Sequence, residues 1–161
     1  YFEQDQINSL IMRPYIIYGP GRDQGWTSAP TKAILLKMLN KSYKIPFSGN
    51  IYLHYTKDCA KQFLLALESD QKGCNIFNVT GEMVNISEFI KFINETISNE
   101  AIIDQELSND FPIPSNIDIS KNKRAFNLPE LTSFSDGINE TIDYLKYGIQ
   151  NKHLPSRFID G

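Results

Sequence analysis

Ser9-Leu10-Ile11-Met12-Arg13-Pro14-Tyr15-Ile16-Ile17-Tyr18-Gly19-Pro20-Gly21-Arg22 is the stretch on which the architecture turns. Its first ten residues are apolar almost throughout, and turn residues stop the run. A continuous apolar run bounded in this way reads as a strand buried on both faces, the kind found in parallel sheets. Pro14 has no N–H to give to a strand ladder, so it marks a bulge, an edge or the point where the chain leaves the sheet. The strand proper is therefore expected to end near Pro14. Tyr15 to Gly21 is then expected to form the loop beyond its carboxyl end.

The rest of the chain repeats this alternation of strand and helix. Thr27 or Ser28 is placed to cap a helix with Pro30 in its first turn and Ala33, Leu36 and Leu39 along its apolar stripe. Lys41 to Asn50, with Pro46 and Gly49, reads as a loop carrying a short strand, and Ile51 to Tyr55 as another strand. Asp58 is expected to cap an amphipathic helix whose apolar face holds Ala60, Phe63, Leu64 and Leu67. Cys74 to Val79 reads as a second buried strand. Asn85, with Glu88 at capping-box spacing, opens a third helix. Ala101 to Asp104 suits a short strand, and Phe111-Pro112-Ile113-Pro114 interrupts regular structure. Ser120 is expected to cap a short helix, and Ser133 with Asp136 a final one. The sum is an α/β chain.

Composition narrows the function classes. A chain of 161 residues suits one domain and can bury about 70% of its unfolded surface. The apolar fraction of 41% is far above that of a disordered chain. Sixteen Lys and Arg against 19 Asp and Glu give a net charge of -3, with no general attraction for nucleic acid. Lys121-Asn122-Lys123-Arg124 is a short basic patch without interleaved aromatics, expected to be a solvated helix face. No apolar run approaches the roughly 20 residues of a membrane span. Cys59 and Cys74 have neither disulfide-framework nor zinc spacing, so no metal is expected and a reduced, cytoplasmic setting is the default. The first residue is Tyr, and the chain is expected to be a piece of a longer polypeptide.

In open α/β sheets, ligands bind beyond the carboxyl ends of the strands, which directs attention to Tyr15 through Arg22. Two glycines there allow close backbone approach, and Arg22 offers a fork of donors for a carboxylate or phosphate. Arg13-Pro14-Tyr15 followed by Tyr18-Gly19-Pro20-Gly21-Arg22 resembles the nicotinamide-side segment of the extended short-chain dehydrogenase/reductases, the NAD-dependent epimerase/dehydratase family. Tyr55-Thr56-Lys57-Asp58-Cys59-Ala60 is similar to that family's Tyr-Val-Asp-Asp-Val-Ala helix start, and Cys74 to Gly81 to its last parallel strand. Asp118-Ile119-Ser120-Lys121, Phe126-Asn127-Leu128-Pro129 and Asp136-Gly137-Ile138 resemble its C-terminal helices. The likeness runs through nearly all 161 residues but covers only the second half of the family's length.

The resemblance implies the last parallel strands of a Rossmann-type sheet plus a small α+β substrate-binding lobe, about 22–55 and 85–115, within one domain over 1–161. It implies NAD or NADP as cofactor, most of whose site lies in the half not present here, with Pro14, Tyr15 and Ile16 against the nicotinamide. The family's glycine-rich turn and Tyr-x-x-x-Lys pair are both absent, so no catalytic residue is expected in this chain, and the piece alone is expected to be inactive. Many sugar-nucleotide members have Asn where Ile16 stands and Arg where Ile51 stands. Both departures point to a smaller polar, sugar-like substrate, held by Arg22, Gln24, Thr27, Ser28 and Lys32, with Asp23 and His54 as further polar candidates. A homodimer through helices of the other half fits the family. The competing expectation is a non-catalytic binding module that has kept the scaffold and lost the chemistry.

Overall fold

The computed structural model describes residues 2–108, 110–112 and 116–154. Tyr1, Asn109 and the Ile113-Pro114 part of the proline-rich breaker lie outside the described residues. A single helical turn, α1 (Phe2–Asp5), leads into β1 (Ser9–Arg13). Pro14 does end this strand, but the apolar run continues as a second strand, β2 (Ile16–Tyr18). The expectation of a loop from Tyr15 to Gly21 is corrected accordingly. One apolar run serves two sheets, and the chain crosses between them at Pro14-Tyr15. Within β2, Ile16 and Tyr18 point into the core and Ile17 does not, an alternation too short to stand out in sequence.

A 3-10 turn at Trp26–Ser28 precedes α2 (Ala29–Met38), which places Pro30 in its first turn as expected. There follow β3 (Tyr43–Ile45), β4 (Asn50–Tyr55) and α3 (Thr56–Leu67). Asp58 does not cap α3; Tyr55 holds the cap position and Asp58 lies inside the first turn, its carboxylate committed elsewhere. Next come β5 (Cys74–Asn78), β6 (Glu82–Asn85) and α4 (Ile86–Thr96). Asn85 caps α4 as expected, its side chain accepting from the Ser87 N–H. The sequence does not announce β6, because Glu82-Met83-Val84-Asn85 has only one buried apolar residue. The chain ends with β7 (Ile103–Gln105), α5 (Ser120–Ala125) and α6 (Phe134–Gln150). Ser120 is the first residue of α5 rather than its cap; its N–H is taken by the Asp118 carboxylate at 2.8 Å. Ser133 caps α6 through the Asp136 N–H, as expected.

Three small sheets result among the described residues. β1 pairs parallel with β5, β2 pairs parallel with β4, whose other edge is antiparallel to β6, and β3 pairs parallel with β7. The main core lies between the β2-β4-β6 sheet and helices α2, α4 and α6, with Ile16, Ile34, Phe47, Ile51, Phe89, Ile93 and Ile138 all wholly buried. Lys37 is also buried, its ammonium donating to the carbonyls of Ala101 at 2.6 Å and Asn99 at 3.2 Å. That contact ties α2 to the segment leading into β7. A second, smaller cluster of Ala66, Phe77 and Phe126 packs around β1 and β5.

The apolar stripe on α3 has the predicted spacing, but it faces outward. Phe63, Leu64 and Leu67 are 43%, 56% and 81% exposed, and the buried side of the helix is Asp58, Cys59, Gln62 and Ala66. Leu10 and Met12 of β1, with Ala60, Phe63, Leu64 and Leu67 of α3, line an open groove of about 740 Å³. Both outer edges of the two-stranded β1-β5 sheet are unpaired among the described residues.

Candidate functional site

The carboxyl ends of β1 and β2 set the site. Gly19 follows β2 with φ of 119°, and a Cβ there would meet Thr56 Oγ1 at 2.6 Å, so only glycine lets the loop pass this close to α3. The Gly19 N–H donates to Thr31 Oγ1 at 3.1 Å and the Arg22 N–H closes a turn on the Gly19 carbonyl. Arg22 then braces its own loop. Its Nη1 donates to the Gln24 carbonyl at 2.6 Å and its Nη2 to Thr27 Oγ1 at 2.7 Å. Ser28 is wholly buried, its hydroxyl donating to the Gly25 carbonyl at 2.6 Å.

The expected polar set is thereby redistributed. Arg22, Gln24, Thr27 and Ser28 are brought together, but as a hydrogen-bonded loop in which Arg22 spends both terminal nitrogens on neighbours. Lys32 sits half-buried in the first turn of α2 and does not line the pocket described next. Ile16 has its side chain in the core, so its backbone alone is left for a ligand. Pro14 and Tyr15 do remain at the surface, where with Arg13, Thr27 and Phe111 they line a pocket of about 300 Å³. Trp26 stacks flat on Phe111 at 5.2 Å between ring centroids, and both stand edge-on to buried Phe47.

Behind this surface lies a polar framework that sequence reasoning missed. The Gln62 carboxamide clamps Thr80, donating to its carbonyl and accepting from its N–H, both at 2.8 Å. Asn122 donates to Gln62 Oε1 at 3.0 Å, so the basic patch on α5 is interrupted by a wholly buried amide. Lys121 lies over the Phe77 ring at 4.8 Å. Asp58 accepts from the Thr132 N–H at 2.7 Å and from the Thr132 hydroxyl at 3.0 Å. These contacts fasten the segment after α5 to α3. Capping preference accounts for misreading Asp58, and nothing in an amphipathic helix marks Gln62 as a backbone mimic.

Electrostatics set His54 and two tyrosines apart. His54 is buried, with Nδ1 3.3 Å from the Thr80 carbonyl and Nε2 without a partner. Burial pushes its pKa down from 6.5 to about 4, so the ring is neutral at pH 7 and serves as packing rather than as an acid. Burial, with the nearby carboxylates Glu82, Asp58 and Glu140, pushes the Tyr18 hydroxyl well above the ordinary tyrosine range. Burial and the Glu140 carboxylate do the same to Tyr55, whose hydroxyl donates to Glu140 Oε2 at 2.7 Å; Lys57 shares that oxygen at 2.5 Å. Neither tyrosine is prepared to give up its proton. Among the described residues no three His, Cys, Asp or Glu side chains are grouped to hold a metal ion, and no helix is long and apolar enough to cross a membrane.

No family model and no curated protein matches the sequence. Solved structures do match in fold. UDP-glucuronic acid 4-epimerase from Bacillus cereus in complex with NAD superposes with a TM-score of 0.73 at 24% identity, over 91% of this chain and 47% of the epimerase. The UDP-glucose 4-epimerase of Thermus thermophilus, in complex with NAD, gives a TM-score of 0.72 at 20% identity, over 91% and 49% of the two chains. The Bordetella bronchiseptica enzyme WbmF in complex with NAD+ gives 0.73 at 19%, over 95% and 50%. The chain has the Rossmann-like α/β fold of these enzymes and spans about half of their length.

Proposed function

We propose that this chain is the nicotinamide-flanking and substrate-facing part of an NAD(P)-dependent epimerase, dehydratase or dehydrogenase of the extended short-chain family, acting on a sugar-like molecule. The observation that carries the reading is the half-length fold match to epimerases that bind NAD, with Arg13-Pro14-Tyr15 standing at the carboxyl end of parallel β1, where such sheets bind ligands. The groove along α3 and β1 supports it, since an apolar face of that size is what a further layer of sheet and helix would cover.

The residues present fit a nicotinamide. Pro14 and the Tyr15 ring supply an apolar wall at the pocket, suited to a planar ring of low polarity. When bound, the dinucleotide supplies the hydride acceptor or donor. Pro14 and Tyr15 orient the ring and shield one face from water. The loop braced by Arg22 holds Thr27 beside the pocket, and the β3-β7 unit with α2 and α4 closes the substrate side as the smaller lobe. Proton transfer at the substrate is assigned to a Tyr-x-x-x-Lys pair outside these residues, since none occurs in the 161 and neither Tyr18 nor Tyr55 lines the pocket.

The substrate is smaller than a nucleoside diphosphate sugar. Ile51, at the place of a diphosphate-binding Arg, is wholly buried in the core. Replacing a charge-assisted contact of about 1.5–3 kcal/mol with an aliphatic side chain leaves no cation there for a diphosphate. The test is dinucleotide binding and turnover by the polypeptide extended to the length of the matched epimerases. Binding of NAD or NADP, with turnover of free sugars or sugar acids, is the expected result. Efficient turnover of a nucleotide-sugar panel overturns the substrate assignment, and absence of dinucleotide binding overturns the whole reading.

A further inference from the structure

A small cavity of about 20 Å³ lies where the carboxyl ends of β2 and β4 meet the start of β6 and the segment before α6. It shares no lining residue with the pocket beside Pro14 or with the α3 groove. Its polar lining is Tyr18, Tyr55, Asp58, Thr80, Glu82 and Thr132. Tyr18, Asp58 and Thr80 are 3%, 4% and 7% exposed, so residues of this chain themselves bury these walls. The hydroxyls around the cavity are engaged: Tyr55 donates to Glu140, Thr132 donates to Asp58, and Thr80 Oγ1 accepts from Asn122. Tyr18 is the exception, since its hydroxyl makes no hydrogen bond among the described residues. Burial first, and then the carboxylates of Glu82, Asp58 and Glu140, hold its proton on. The hydroxyl therefore feels these acceptors without bonding to any of them, which is the spacing that an intervening water fills.

We infer that this cavity is the binding site of one ordered water, which accepts a hydrogen bond from the Tyr18 hydroxyl and donates to the carboxylates of Asp58 and Glu82. A water site needs about 10–15 Å³ and two to four polar partners, and both conditions are met. Asp58 Oδ2 accepts from the Thr132 N–H and, as a carboxylate oxygen, can take a second bond. Two carboxylates also suit a cation, but a cation takes lone pairs and offers nothing to the proton that Tyr18 has to place. Asp58 is in addition paired with Lys61 at 3.3 Å. Water satisfies the donor and the acceptors together. Tyr18 is the last residue of β2, so the bridge fastens the start of the Gly19-to-Arg22 loop to α3 and β6.

Three measurements on the polypeptide extended to the length of the matched epimerases test this. A crystal structure that resolves internal waters is expected to show one water within about 3.2 Å of Tyr18 Oη and of the carboxylates of Asp58 and Glu82. A dry cavity, or a side chain of the added half filling it, overturns the inference. The sign of the Tyr18→Phe effect is the second readout. With the water bound, the substitution removes one of its partners, and Tm is expected to fall by about 1–4 °C. In a dry cavity it relieves an unsatisfied donor, so an unchanged or raised Tm overturns the inference. Third, the Tm of the unsubstituted protein is expected to be the same in potassium, sodium and tetramethylammonium chloride at equal concentration. Stabilisation by potassium or sodium alone, lost in Tyr18→Phe, gives the cavity to a cation and overturns the water.

Discussion

The outward face of α3 makes the sharpest quantitative prediction. Leu64 and Leu67 are 56% and 81% exposed, and both line the groove against β1. Fully burying a leucine stabilises a protein by about 1.5–3 kcal/mol, so the area these two still expose is worth about 2–4 kcal/mol once something covers it. The double variant Leu64→Gln, Leu67→Gln keeps helix propensity nearly constant and removes that gain. In the 161-residue chain it is expected to change stability by less than about 1 kcal/mol and to reduce self-association, because an exposed apolar face is lost. In the polypeptide extended to the length of the matched epimerases, the same change is expected to cost at least about 2–4 kcal/mol, since uncharged amides are then buried without partners. Urea unfolding of the two lengths, with and without the substitutions, measures both numbers. Equal losses in the short and long forms would refute the argument that this face is an internal surface of a larger α/β unit.

Three further outcomes follow from individual residues. His54 titrates near 4 when folded against 6.5 when free, so the unfolded chain takes up the proton first as pH falls; stability is unaffected above pH 7 and declines by about 3 kcal/mol between pH 6.5 and 4, a slope that His54→Asn removes in urea melts collected across that range. Cys74 is exposed, whereas Cys59 is buried and its thiol pushed up to about 11, so native protein should take up one equivalent of iodoacetamide and urea-unfolded protein two; two in the native state would contradict the packing of α3. A Cβ on Gly137 would fall on Tyr18 Oη, so Gly137→Ala should destabilise by about 1–3 kcal/mol despite its better helix propensity, and adding Tyr18→Phe should restore most of the loss.

What can be read from residues alone divides along physical lines. Ser133, Asn85 and Pro30 act locally, and each sits where capping and first-turn preferences put it. The apolar run through Pro14 announces a strand buried on both faces, yet only β2 is buried while β1 has no buried residue, and the run conceals that it feeds two sheets, because proline stops one ladder without saying where the chain goes next. The α3 stripe is legible as amphipathic; which face the protein buries internally depends on neighbours that no periodicity encodes. In the site, Pro14 and Tyr15 lie at a pocket, whereas the side chain of Ile16, next in line, is turned inward by the two-residue period of β2. Arg22 has the chemistry of a ligand's partner, yet its hydrogen bonds go to Gln24 and Thr27, close in sequence.

A structure of the extended polypeptide with NAD bound tests the central claim most directly. The account predicts the nicotinamide ring in van der Waals contact with Pro14 and Tyr15, at the carboxyl end of β1. A dinucleotide bound with its nicotinamide elsewhere, or an added half that leaves the α3 groove open to solvent, would contradict it.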